Sequence, residues 1–235
     1  MDTFYSALSK AFELIVMFDP DIIEIIILSL KVSLSAVLLA IFIGMPIGAY
    51  LAIAKFPFRK FFIILFNVMM GLPPVVVGLI LYLILSMSGP LGFLELLYTP
   101  SAMIIAQFIL VVPIIISLTR QVIEDLNIEY KELLDSMGLS MFEKLKTLIW
   151  DARYSLSTGF LAGIGRALSE VGAVLIVGGN INHVTRVMTT TIALETSKGD
   201  IIMAISLGII LLTIALILNL SLYFLKSIGE SKLYV

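Results

Sequence analysis

Val32 to Ala54 is a run of 23 residues without one charged side chain. In a helix rising about 1.5 Å per residue it reaches roughly 34 Å, enough to cross a bilayer's hydrocarbon core of about 30 Å. Backbone N–H and C=O groups in hydrocarbon must be satisfied within the protein, so a single run of this kind reads as a transmembrane helix. Phe61–Leu85, Ser101–Thr119 and Ile201–Leu225 are also free of charge, and Ser155–Val177 carries only Arg166 and Glu170. The spacing predicts an all-α, polytopic membrane bundle with about five core spans, forming one transmembrane domain over residues 1–235.

Composition agrees, with 60% hydrophobic residues, a mean hydropathy of +1.12 and a net charge of −2. That charge balance invites no nucleic-acid partner. The chain has no cysteine, hence no disulfide framework or thiolate metal site, and its single His183 excludes a multi-histidine cluster. Lys10, Glu13 and Asp19 interrupt the start, which therefore does not read as a cleaved signal peptide. Residues 3–18 carry a polar stripe (Thr3, Ser6, Ser9, Lys10, Glu13) on an apolar helix, suited to an interfacial segment or a simple extension. No C-terminal sensor domain is expected beyond Val235.

The spans carry their own irregularities. Gly44-x-x-x-Gly48 permits close helix approach, and Pro46 between them predicts a bend. Gly71-Leu72-Pro73-Pro74 removes two backbone donors in mid-span and predicts a broken helix, either a pathway element or a packed kink. A charge at mid-membrane costs about 3 kcal/mol or more and turns toward a partner inside the bundle. Helical spacing puts Gly159, Gly163, Arg166, Glu170, Ala173 and Val177 on one inner face, where Arg166 and Glu170, four apart, can pair. The pair reads either as part of an anion pathway or as a closed structural ion pair. In the loop 178–200, Asn180, Asn182, Thr189, Thr190 and Thr191 supply neutral donors that suit an oxyanion, a docking surface or an outer gate. His183 reads as an ordinary loop histidine.

The one long polar island is Glu129–Asp151. Glu129–Met137 predicts a short helix that Gly138 ends in the left-handed conformation. Ser140 then caps a second helix, with Glu143 completing a capping box. Phe142, Leu145, Leu148 and Ile149 give that helix an apolar ridge in need of a partner. The side holding the island carries Lys55, Arg59, Lys60, Arg120, Lys131, Lys144, Lys146, Arg153, Lys226 and Lys232, against Lys10, Lys31, Arg186 and Lys198 on the other. The positive-inside rule then places the island and C-terminus in the cytoplasm and the N-terminus outside.

Glu132-Leu133-Leu134-x3-Gly138-x9-Leu148-x-Trp150-Asp151 resembles the coupling loop of ATP-binding-cassette importer permeases, E-A-A-x3-G-x9-I-x-L-P, with leucines for the two alanines and Asp151 for the proline. Arg166-Ala-Leu-Ser-Glu170-Val-Gly-Ala173, Gly178-Gly179-Asn180 and Gly71-Leu-Pro-Pro-Val-Val-Val-Gly78 are similar to stretches in molybdate and tungstate permeases, with sulfate permeases sharing much of the pattern. The resemblance covers roughly Val32 to Leu225. It implies a type I importer in a prokaryotic plasma (inner) membrane: a homodimer of this chain, two cytoplasmic ATPase subunits, and an extracellular or periplasmic oxyanion-binding protein. Coupling to the ATPase would run through Glu132, Gly138, Leu139, Phe142 and Leu145, and pathway or gate candidates are Pro73, Pro74, Arg166, Glu170 and Thr190. No G-x4-G-K-[ST] phosphate loop is present. The chain is thus expected to be no enzyme and to bind no cofactor, ATP-Mg belonging to the partner. Two other readings remain open from the residues: an ion-coupled secondary transporter using Arg166 and Glu170 as a proton relay, and a non-transporting membrane scaffold.

Overall fold

A computed structural model describes residues 2–17 and 19–231; Phe18 of the N-terminal segment and Lys232 of the basic side lie outside them. Ten α-helices are seen among the described residues: α1 Asp2–Val16, α2 Pro20–Ile53, α3 Arg59–Met69, α4 Pro74–Leu85, α5 Pro100–Ser136, α6 Met141–Asp151, α7 Arg153–Leu168, α8 Gly172–Gly178, α9 Met188–Lys198 and α10 Ile201–Ser231. Proline at a first helical turn forfeits a donor that has no intrahelical acceptor anyway. Pro20, Pro74 and Pro100 use that position to start α2, α4 and α5. Asp19 and Thr99 cap α2 and α5 by accepting from the backbone N–H groups of Asp21, Ile22 and Ala102.

Three helices, α2, α5 and α10, are long and apolar enough to cross a membrane, and two bent pairs raise the number to five if each pair is one crossing. In the first pair α3 and α4 are bent by 102° about Met70–Pro73; in the second α7 and α8 are bent by 56°. The second span is therefore no straight rod: α4 alone, at 12 residues, is roughly 18 Å long.

The bundle is built on α2 and α5, which pack side by side in the same chain direction. Burial identifies α5 as the central helix, with 72% of its apolar window inside the protein against 39% for α2 and 22% for α10. The expected glycine motif explains how the two approach. A Cβ on Gly44 would lie 3.2 Å from Ile115, and one on Gly48 only 2.5 Å from the Ile116 carbonyl oxygen. Pro46 interrupts neither the approach nor the helix. α1 lies along α10, burying Ala7, Ala11 and Leu14 while Ser206 Oγ donates to the Ala7 carbonyl at 2.9 Å. The segment is thus packed into the fold and is no loose extension.

One expectation is corrected. α5 runs on from the third apolar stretch to Ser136 as one helix of 37 residues, roughly 55 Å. The expected separate helix 129–137 is its far end, because nothing between Pro113 and Gly138 stops a helix. The inner face expected on the fourth span is present: Gly159, Gly163, Glu170, Ala173 and Val177 are all buried, with the break at Ser169–Val171 dividing them between α7 and α8. Gly159 and Gly163 turn into α5, against Leu118, Ile115 and Val111. The open face of α7 carries Ser155, Thr158, Ala162 and Gly165, continued by Ser169 at its C-cap.

Candidate functional site

At one end of the bundle α5 meets α6 at a tight corner. Gly138 makes it, with φ +64° and no atom within 4 Å of where a Cβ would stand. Ser140 then forms the expected capping box: its Oγ accepts from the Glu143 N–H, and its own N–H donates to Glu143 Oε2 at 2.8 Å. The Ser140 hydroxyl, donating to Glu143 Oε2 at 2.6 Å, and then the Ser140 N–H hold the Glu143 carboxyl below its ordinary pKa. Lys144 reaches back to Asp135, tying α6 to the end of α5 and lowering the Asp135 pKa.

The apolar ridge of α6, Phe142 excepted, already has its partner within the bundle. Leu148 is fully buried, and Leu139, Leu145 and Ile149 pack with it against Ala49 and Ala52 of α2, Ile123 and Leu134 of α5, and Leu156 of α7. What stays open is Phe142 of that ridge, 76% exposed, together with Glu132, Leu133, Met137, Gly138 and Met141. Arg59 anchors the corner to the bundle. Its guanidinium donates to the carbonyls of Leu51 and Ala52 at the end of α2, at 2.7 and 3.0 Å, and pairs with Glu124 of α5, which also binds Arg120. Arg59 and Arg120 thus serve as structural clamps besides adding basic charge to that side.

The second constellation is where the two helix breaks meet. α4 packs along α8, and a Cβ on Gly78 would come within 2.8 Å of Ala173. Gly172 faces Val75, one residue after Pro74, so the Pro73-Pro74 break and the Ser169–Val171 break are neighbours. Every backbone group freed by a break inside a bilayer needs a partner. Ala167 O receives the Gln107 side-chain amide of α5 at 3.0 Å and lies 3.5 Å from Ser33 Oγ of α2. Glu170, only 3% exposed, places Oε1 on the Ala173 N–H at 3.0 Å and Oε2 3.2 Å from Arg166 Nη1, and its carbonyl accepts from Thr189 Oγ1 at 2.8 Å. One carboxylate therefore caps α8 and neutralises Arg166, whose side chain stays 28% exposed beside the open stripe of α7. Below that stripe, a cleft of about 300 Å³ is lined by Gln121, Ser155 and Thr158.

Of the predicted pathway residues, Pro73, Pro74, Arg166 and Glu170 gather at these breaks. Thr190 does not: it is buried, with Oγ1 shared among Val187 and Asn180 in the turn that starts α9. Sequence reasoning missed the roles of Gln107 and Ser33, although a polar side chain inside an apolar span was the available signal. It also missed His183, which bridges to Glu24 at 2.7 Å across the end opposite the corner.

Residues 44–233 match the family described as binding-protein-dependent transport system inner membrane component. The chain belongs to that family. Relatives of this permease include the tungstate uptake system permease protein TupB of Peptoclostridium acidaminophilum, 41% identical over 92% of this chain and 95% of the relative. A probable anion ABC transporter permease protein of Haloferax volcanii is 39% identical over 84% of this chain and 88% of that protein. The sulfate transport system permease protein CysT of Escherichia coli is 26% identical over 86% of this chain and 77% of its own length. The chain is accordingly a multi-pass membrane permease subunit and not an ATPase.

Proposed function

We propose that this permease carries a tetrahedral oxyanion inward, tungstate or molybdate, as a homodimer driven by two ATPase subunits that dock on the exposed α5–α6 corner. The corner then lies in the cytoplasm and the His183 end outside, where a binding protein delivers the anion. The observation that carries this reading is the continuity of α5. One helix runs from the corner to Gln107, whose amide holds the carbonyl at the α7 break beside Arg166 and Glu170. A load applied at Leu133, Met137 and Phe142 is passed along a stiff rod to the paired breaks. Displacement there opens or closes the polar face of α7, which is how ATP-driven movement becomes alternating access.

The kinship to tungstate permeases supports the choice of anion, and the Arg166 guanidinium beside a face of small polar residues supplies the chemistry a dianion needs. The test is uptake of labelled tungstate by proteoliposomes holding the assembled transporter with its binding protein. Uptake is expected to require ATP, and sulfate in excess is expected to compete poorly. Phe142→Asp is expected to release the ATPase subunits while leaving the folded permease in the membrane. Uptake driven by a proton gradient without ATP would instead establish the secondary-transporter reading.

A further inference from the structure

Behind the exposed corner, a groove of about 460 Å³ runs between α2 and α6, lined by Pro46, Phe142, Leu145, Lys146, Ile149, Trp150 and Arg153. Its floor is apolar, and its two cations sit at the rim. Arg153 stacks between Trp150 and Tyr154, its guanidinium carbon 4.7 and 4.5 Å from the ring centres, with Nη1 donating to the Trp150 carbonyl at 2.6 Å. Among the described residues neither Lys146 nor Arg153 pairs with a carboxylate. Trp150 is 67% exposed, a placement typical of an indole at the headgroup level.

The groove spans two solvents. Pro46 lies seven residues before the end of α2 at Ile53, roughly 10 Å into the apolar span. One and two turns further on, Phe42 and Leu38 continue the same open face, 80% and 65% exposed. An occupant must therefore be apolar at hydrocarbon depth and anionic at the surface. A soluble ATPase meets the second requirement and cannot reach the first.

We propose that this groove binds an anionic phospholipid of the leaflet at the corner, its phosphate held by Lys146 and Arg153 and an acyl chain laid on Pro46, Phe42 and Leu38. The lipid would wedge between the foot of α2 and the helix that receives the ATPase, so membrane composition would bear on the corner's position. The inference rests on the corner lying at a membrane surface and not on which anion is carried.

Native mass spectrometry of the assembled transporter, supplied with phosphatidylglycerol or phosphatidylcholine, tests it without measuring transport. Phosphatidylglycerol is expected to be retained preferentially. Lys146→Gln with Arg153→Gln is expected to lower that retention by roughly 30-fold, each surface cation being worth about a factor of five. Equal retention of the two lipids, or no effect of the double substitution, would overturn the proposal. So would displacement of the lipid by inorganic phosphate. In the unsubstituted protein, a photoactivatable phosphatidylglycerol is expected to label residues 142–153 and 38–46. A crosslinker placed at Trp150 that captures the ATPase or a second copy of the chain would assign the groove to that partner instead.

Discussion

His183 holds φ +58°, a conformation a non-glycine residue adopts only when something repays it, and its Nδ1 lies 2.7 Å from Glu24 Oε2. The hydrogen bond to that carboxylate, with its charge, raises the imidazole pKa. A raised value in the folded protein means the contact contributes fully below the ordinary imidazole pKa and fades as pH rises through the raised one. Hydrogen exchange of residues 180–187, corrected for intrinsic rates, is therefore expected to speed up above that pH, and His183→Ala should remove the dependence. No local signal announces this pair, because its members stand 159 positions apart. Gly138 and the Ser140–Glu143 box were legible for the opposite reason: all their bonding lies within a few residues.

Among the elements, hydropathy located the spans but not the helix ends. The third apolar stretch stops at Thr119, yet no glycine or proline follows until Gly138, so the helix leaves the apolar region and continues to Ser136. Polarity marks where a membrane ends and says nothing about where hydrogen bonding ends. Rotation about a helix axis was legible by contrast: the periodicity that puts Gly159 and Gly163 on an inner face is met by their packing on α5. The glycine motif of α2 was read correctly because close approach is its only use. Gly48→Ala should cost about 1–3 kcal/mol, since its methyl group would meet the backbone of α5, which cannot yield as a side chain can. Gln107→Leu should also cost about 1–3 kcal/mol, by removing the amide donor from the Ala167 carbonyl. Thermal unfolding in one detergent checks both.

For the molecule as a whole, the proposed drive depends on α5 staying stiff between the corner and the breaks. Gln121→Pro places a second interior proline in that interval, on an exposed position that removes no packing. The ATPase should still associate, because the corner is untouched, while ATP hydrolysis and tungstate uptake become uncoupled. Co-purification and parallel hydrolysis and uptake assays separate the two effects. A fully coupled variant would mean that the load travels by another route, such as the Arg59 clamp to α2.

The packing of α1 on α10 bears on how the chain is made. Ala7, Ala11 and Leu14 find their partners around Leu207 and Ile210, and the Ala7 carbonyl waits for Ser206, a hydroxyl 199 residues later. During synthesis α1 emerges with its binding face uncovered and keeps it so until α10 has followed. A helix that precedes all the other described ones is thus among the last of them to settle. A chaperone or insertase that shields it in the interval would be protecting the surface on which α10 later packs.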